Sequence, residues 1–357
     1  LEQGDLRAVA VLYAELDRVD PSGPLSGYMD FFGRVLLTEP ELTDPELPSY
    51  VYEDADRGVV GVIGSHPRRY VFGERRLRLV CGGPLIVHPD FRSSGVGALL
   101  LRRFAGGDQV MTFNDRSIEE VHAMWRVLGA ATDGLTTIEW SRVLAPGGYA
   151  TRQLARRVTG YGAPPAEATI TRLGKRLRPV KLRPPREGHS EPFDNGEFIE
   201  LVERLGRQYS LRPDYTPGYL DALFSLMGET VLGNSVVRRL VRAAGNRPIG
   251  AYVMIVAPHG TAHVLNVVTS YQHADLVMEH LFHDAAVLGA VEATGRCEMV
   301  IQAALAKARC RLHQGQWTLV QSADSELVNQ ALSAKAIVSR MEGEWWMRPR
   351  PHLVQAG

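Results

Sequence analysis

The sequence predicts an α+β protein of two tandem domains, each a mixed, mostly antiparallel sheet flanked by helices. Three observations carry that expectation. The chain has 357 residues, about two domains at ordinary domain size. From Leu77 to Ala130 it reads strand, small-residue loop, helix, strand, helix, and a run of hairpin-like strands precedes that series. The outline of this first half then recurs at an offset of about 190 residues, too long for a solenoid repeat and natural for a duplicated domain.

Composition narrows the class. With 45% hydrophobic and 22% charged residues the chain can bury a full core. Forty basic and forty acidic side chains cancel, so no global field recruits nucleic acid or an anionic membrane. Cys81, Cys297 and Cys310 have no metal-ligand spacing and read as reduced thiols of a cytoplasmic protein. No window approaches ~18 consecutive apolar residues. The start, Leu1-Glu2-Gln3-Gly4-Asp5, lacks the layout of a secretion signal.

The elements follow in order. Leu6, Val9, Leu12, Tyr13 and Leu16 recur at helical spacing, and Pro21, Gly23 and Pro24 close that helix. A second helix over 25–37 carries Tyr28, Phe31, Phe32 and Val35 on one side, and Pro40, Pro45 and Pro48 make a rigid loop. Residues 49–53 and 59–65 form strands around the turn Asp54 to Gly58. The central strand, 77–87, is interrupted by Gly82-Gly83-Pro84, which signals a bulge or lost pairing. His88 is a turn residue, and an apolar helix follows at Leu99-Leu100-Leu101. Residues 109–113 read as a buried parallel strand, Asn114 to Ser117 as caps for a helix over 118–128, and 136–143 as a strand completing the first domain.

Between strand and helix the loop reads Arg92-Ser93-Ser94-Gly95-Val96-Gly97-Ala98. This is a diphosphate cradle: the glycines admit close approach, the helix N-terminus offers unpaired amides, and Arg92 can fork onto phosphate. It has neither the Gly-Lys-Ser/Thr of a nucleotide P-loop nor a dinucleotide fingerprint. The arrangement Arg92-x-x-Gly95-x-Gly97 after a strand, with Met124-Trp125-Arg126-Val127-Leu128-Gly129-Ala130 ending a late helix, resembles the GCN5-related N-acetyltransferases over roughly fifty residues, the length of a strand–helix–strand–helix unit.

The second half repeats the outline without the cradle. Residues 198–209 and 219–226 are helical, 236–243 and 249–256 flank the turn Gly245-Asn246-Arg247-Pro248, 263–268 stand where the central strand stood, and a helix over 274–288 follows. At the loop this half reads Ser270-Tyr271-Gln272-His273-Ala274-Asp275, with no glycine and with a carboxylate that would repel phosphate. Residues 303–311 are helical, and Met341 to Trp346 read as a closing sheet segment. The domains expected are 1–145 with the CoA loop, a Pro-rich basic connector over 146–192 holding a helix (151–158) and an edge strand, and 193–357 without the loop. The connector's basic series, Lys175, Arg176, Arg178, Lys181, Arg183 and Arg186, reads as a solvated face.

The resemblance implies acetyltransferase-like domains in tandem. It also implies acetyl-CoA or another acyl-CoA as co-substrate with no metal, and a small-molecule amine or amino sugar as acceptor. Leu85, Ile86 and Val87 would splay from the neighbouring strand, pair with pantetheine and polarise the thioester, and Arg92 to Ala98 would hold the pyrophosphate. Tyr28, Phe31 and Phe32 would lie near the acceptor, although their spacing alone gives them a core role. Two departures matter. The family's acid Tyr is Trp125 here, whose indole N–H is no usable proton donor. Its helical Asn is Ile118, with Asn114 one turn earlier as a substitute or a cap. His122, one helical turn before Trp125, is the nearest titratable candidate for the catalytic role although an exposed helix His is the commoner case, Glu119 and Glu120 read as solvated, and no general base is identifiable. A non-catalytic acyl-CoA-binding protein is the other reading. A third reading is an aminoacyl-tRNA-dependent ligase of the kind that also pairs two such domains, but that class does not need this loop and the chain has no net basic balance for tRNA. Oligomeric state is open.

Overall fold

A computed structural model describes residues 1–16, 25–159, 182–206, 208–230, 235–257 and 260–347. The expected connector's Lys175, Arg176, Arg178 and Lys181, and the helix-closing Pro21, Gly23 and Pro24, lie outside them.

The chain opens with α1 (Leu6–Leu16) and α2 (Ser26–Gly33), the latter running into a π-helical turn, Arg34–Thr38. Strands β1 (Tyr50–Asp54), β2 (Gly58–Phe72) and β3 (Arg75–Val87) form an antiparallel meander, both hairpins turning at glycines with positive φ, Gly58 and Gly73. Then come α3 (Val96–Ala105), β4 (Met111–Ser117), α4 (Glu119–Val127), β5 (Ile138–Val143) and α5 (Pro146–Thr159). Next are β6 (His189–Glu191), α6 (Asn195–Gly206), β7 (Leu211–Pro213), α7 (Pro217–Glu229), β8 (Ser235–Arg242), β9 (Pro248–Val256) and β10 (Thr261–Thr269). The chain continues through α8 (Ala274–Val287), β11 (Glu292–Arg296), α9 (Gln302–Lys307), β12 (Arg311–Gln314), β13 (Trp317–Gln321) and α10 (Ser325–Ala331).

Two mixed sheets result. The first runs β1-β2-β3-β4-β13, with β7 also on β2, and the second runs β12-β5-β11-β10-β9-β8-β6. In each, one parallel pair, β3–β4 or β10–β11, sits among antiparallel neighbours. The α+β class and the two sheets agree with the sequence reading, but the chain does not fill them in sequence order. The strand expected to complete the first domain, β5, pairs with β11 and β12 in the second sheet. The first is completed by β13, antiparallel to β4. One compact unit accordingly gathers 1–133, 208–232 and 316–357, and the other 134–207 and 233–315. A strand's side-chain pattern shows that it is half-buried but not which sheet supplies its partner, so linear bounds could not reveal this.

In the first unit successive β3 residues serve opposite faces: Leu79 and Cys81 pack with Met111, Phe113, Val320 and Leu327, whereas Val80 packs with Leu100, Phe104, Trp125 and Leu319. Burying Val96, Leu100, Leu101 and Phe104 fixes α3 on the second face, at roughly 2 kcal/mol of gross hydrophobic stabilisation each. Tyr28, Phe31 and Phe32 are fully buried and ring-packed with one another and with Tyr13. The second unit has one core, centred on Trp140, Tyr252, Leu281 and Phe282. No disulfide joins the cysteines; Cys81 is buried, and Cys297 and Cys310 are half-buried with thiols that burial pushes up.

Candidate functional site

The site begins where β3 and β4 part. They pair from Leu79–Met111 to Cys81–Phe113 and no further. At that point Ile63 faces Leu85 and Ser65 faces Gly82, so Gly64 alone stands opposite Gly83 and Pro84, a bulge in β3. The Gly82 carbonyl, released from the ladder, accepts the Asn114 side-chain amide at 2.6 Å. Every second residue of the next stretch turns its polar backbone away from β2 and toward the opening. The splay expected from Gly82-Gly83-Pro84 is therefore present, and it opens a cleft of about 200 Å³.

Its walls come from the first unit. Pro84, Leu85 and Ile86 of β3 face Asn114, Arg116 and Ser117 of β4; Tyr13 and Leu16 of α1, Leu101 of α3, and Ile118, Val121 and Trp125 of and beside α4 close the sides. The last three lie at i, i+3 and i+7, one stripe of a helix. Trp125 is almost fully buried, edge-on to Phe104.

His122, although one turn from both Ile118 and Trp125, does not line the cleft. Its ring is stacked on Trp317 (4.2 Å, 6°), with Nδ1 3.7 Å from Glu119 Oε1. The Trp317 indole donates to Glu119 Oε2 at 2.9 Å. His122 is buried, not the exposed helix residue its surroundings suggest, because β13 arrives from some two hundred positions downstream to cover it. Asn114 is no helix cap. It lies within β4, and the residue capping α4 is Ile118, whose side chain makes no capping bond. Asn114 Oδ1 instead accepts from Arg116 N–H (2.9 Å) and Ser117 Oγ (2.7 Å), which fixes its amide toward the cleft.

The glycine loop leads out from the same strand. After Val87 comes a 3₁₀ turn, Pro89–Ser94, with His88 accepting the Asp90 N–H at its start. Gly95 (φ 83°) then redirects the chain into α3, a conformation only glycine adopts without strain. The first bond into the helix is Leu99 N–H to the Gly95 carbonyl (3.0 Å), so the amides of Val96, Gly97 and Ala98 have no acceptor within it. Arg92, Ser93 and Ser94 are exposed. Arg92 Nε donates to the Val87 carbonyl (3.3 Å), tying the cation to the end of β3, and Ser94 Oγ donates to the Phe91 carbonyl (2.7 Å). Glycine conformation, open amides and an adjacent guanidinium fit a diphosphate.

Sequence reasoning misses a carboxyl. Met341 to Trp346 form no sheet strand; they make a strap of turns that places Glu344 in the cleft wall. Glu344 Oε1 accepts from Asn114 Nδ2 at 2.6 Å, and its backbone N–H donates to Asp115 Oδ1 at 2.7 Å. The carboxyl lies directly against the Gly83 Cα, where any Cβ would collide with Oε2. Loss of water around the carboxyl, then the neighbouring Asp115 carboxylate, push Glu344 up to about 8, with the Asn114 bond and Arg116 opposing. Behind Gly83, His66 Nε2 meets the Gly83 carbonyl at 2.5 Å; a carbonyl only accepts, so Nε2 carries the hydrogen. Burial first, then Arg68, push His66 down to about 3, which keeps it neutral. The only local signal for Glu344 is an acid between glycine and tryptophan near the end of the chain.

Among the described residues no cluster of three or more His, Cys, Asp or Glu side chains is placed to hold a metal ion, and no helix is long and apolar enough to cross a membrane. No sequence-family model matches this chain, and no curated protein does. Solved structures do. A GCN5-related N-acetyltransferase from Anabaena variabilis is 12% identical, with a TM-score of 0.58 over 94% of this chain and 74% of its own. A probable N-acyltransferase from Enterococcus faecalis is 9% identical, with a TM-score of 0.56 over 93% and 73%. The N-myristoyltransferase of Saccharomyces cerevisiae, solved with myristoyl-CoA, is 11% identical, with a TM-score of 0.52 over 90% and 78%.

Proposed function

The chain has the GCN5-related N-acyltransferase fold, with two such sheets in tandem, and from that premise we propose that it transfers an acyl group, acetyl in the first instance, from CoA to an amine of a small molecule or amino sugar. The single observation that carries this reading is the continuity of β3. One strand runs from the splayed cleft at Leu85 and Ile86 to the Gly95 turn and the open amides of α3.

In this reading Val96, Gly97 and Ala98 amides and Arg92 hold the pyrophosphate, with Ser93 beside them. The pantetheine lies along Leu85 to Val87 and pairs with the backbone that β4 leaves unpaired. Alternate amides there stabilise the charge that develops on the thioester oxygen. Leu101, Val121 and Trp125 line the cleft with apolar surface that excludes water from the thioester. Trp125 cannot protonate the leaving thiolate, and this favours a second reading, an acyl-CoA-binding protein without turnover. The C-terminal half, without glycines at Ser270 to Asp275, serves the fold and not a second cofactor.

Calorimetric titration with acetyl-CoA, beside the Arg92→Glu variant, tests the proposal. Saturable binding lost in the variant, together with thiol release when primary amines are added, is the expected result. Binding without thiol release selects the second reading. No binding of any acyl-CoA overturns both.

A further inference from the structure

We propose that the Glu344 carboxyl is the general base of the cleft, and that Glu342, two residues earlier, is the positioning residue that holds it there. The inference rests on the acyltransferase reading and supplies the proton acceptor that reading lacks.

The geometry comes from the strap. Glu342 is buried, and its carboxyl is saturated: Oε2 accepts Ser339 N–H (3.0 Å) and Ser339 Oγ (2.5 Å), and Oε1 accepts the Tyr215 hydroxyl. Arg68 Nε donates to the Glu342 backbone carbonyl at 3.0 Å. Trp346 Nε1 closes the turn onto the Met341 carbonyl at 3.1 Å. A buried Glu–Arg–Tyr cluster is a weak source of stability, because desolvating the charges offsets most of their attraction. It is, however, a strong source of position. The two carboxyls of one strap thus have opposite surroundings: Glu342 has its acceptor sites filled from within the fold, whereas Glu344 is held at Oε1 by Asn114 and presents Oε2 at the bulge where the strands part.

The step balances without a further reactant. The neutral amine nitrogen attacks the thioester carbonyl carbon; the C–N bond forms as the C=O pair moves onto oxygen, and Glu344 takes the N–H proton. The pair returns, the C–S bond breaks, and the thiolate leaves with its electrons. The proton held by Glu344 then neutralises the sulfur, directly or through water. The charged and titratable groups around Glu344 are Asp115 and Arg116 of β4, Tyr13 of α1, and His66 of β2 through the Gly83 carbonyl. His66 is neutral over the working range, so a rate that still rises with pH through the weakly alkaline region once it is expressed per concentration of neutral amine reports Glu344.

The test measures thiol release from acetyl-CoA with benzylamine, a primary amine with an apolar body suited to Leu16 and Ile118 at the cleft wall. It runs from about pH 6 to 10, with calorimetric acetyl-CoA binding measured on every variant. Glu344→Gln is expected to lower kcat by about 10²- to 10⁴-fold, with acetyl-CoA affinity unchanged and the alkaline rise abolished. Glu342→Gln and Tyr215→Phe should lower kcat by roughly tenfold and move the midpoint of the pH profile, which a purely structural role would not do. Glu344→Gln turnover within about threefold of wild type, or an unaltered pH midpoint in it, overturns the assignment. Wild-type binding of acetyl-CoA without amine turnover also overturns it and favours the binding-protein reading, whereas loss of wild-type binding overturns the acyltransferase reading itself.

Discussion

At the β3–α3 junction of the first unit the chain turns through Arg92 to Gly97, whereas at the β10–α8 junction of the second it turns through Ser270 to Asp275. The strands leading into the two turns are alike. In each sheet a central strand pairs in parallel with the next strand over three residues, Leu79 to Cys81 in one and Thr261 to His263 in the other. Each central strand then bulges, at Gly83-Pro84 and at Leu265. The turns themselves differ in charge and conformation. The first has Gly95 at positive φ, an exposed arginine and three helix-start amides with no acceptor within the helix. The second places the carboxylate of Asp275 in the first turn of its helix, 2.5 Å from Lys307 Nζ. The helix dipole that would face a phosphate in the first unit is already met by a carboxylate in the second. Sheet topology is therefore shared, and local chemistry at one junction separates the halves.

Four substitutions would break or sharpen that comparison. Arg92→Glu should weaken acetyl-CoA binding by about 100-fold or more, since a charge-assisted contact is lost and a repulsion gained; Lys307→Glu, the matching reversal in the second unit, should leave the calorimetric isotherm unchanged. Equal losses in both would show that the second turn also holds the ligand. Gly83→Ala comes next: its Cβ would collide with the Glu344 carboxyl, so thiol release should fall by about tenfold or more while acetyl-CoA still binds. Gly95→Val forces a β-branched residue to φ 83°, at about 1–2 kcal/mol, and Tm should fall by roughly 2–6 °C with weakened binding.

The remaining prediction is a pH dependence. The folded pKa of Glu344, about 8, lies above its ordinary value of 4.5, so the folded state keeps a proton that the unfolded chain releases. Its stabilising contribution is complete below about pH 4.5 and is lost as the pH rises through 8. Glu344→Gln should therefore raise Tm relative to wild type at pH 9 and leave it nearly unchanged at pH 4, by scanning calorimetry. A pH-independent difference would show that the carboxyl is not held away from water.

The residues legible from sequence are those whose signal is local. Gly58 and Gly95 announce turns because backbone sterics demand them within one or two residues. The apolar spacing of α1 and α3 announces helices because one face is buried. Gly82-Gly83-Pro84 announces the bulge on the same grounds. Asn114 reads as a cap because Asn before a helical pattern usually is one, but pairing with β13 extends β4 through Ser117 and turns its amide into the cleft. His122 reads as exposed because Trp317, which covers it, lies far along the chain.

By itself, then, the sequence determined the α+β class, the strand–turn–helix of the cradle, the recurrence of the outline and the absence of glycines from the second turn. Each of these is decided by neighbours within a few residues, through φ/ψ sterics and side-chain period. Only the tertiary structure decided that β5 completes the second sheet and β13 the first, and that Glu344 stands beside Asn114, some 230 residues away, against the Cα of Gly83. Strand pairing and burial are satisfied by any partner of suitable register and face, so these placements depend on which surfaces remain open once the rest of the chain has packed.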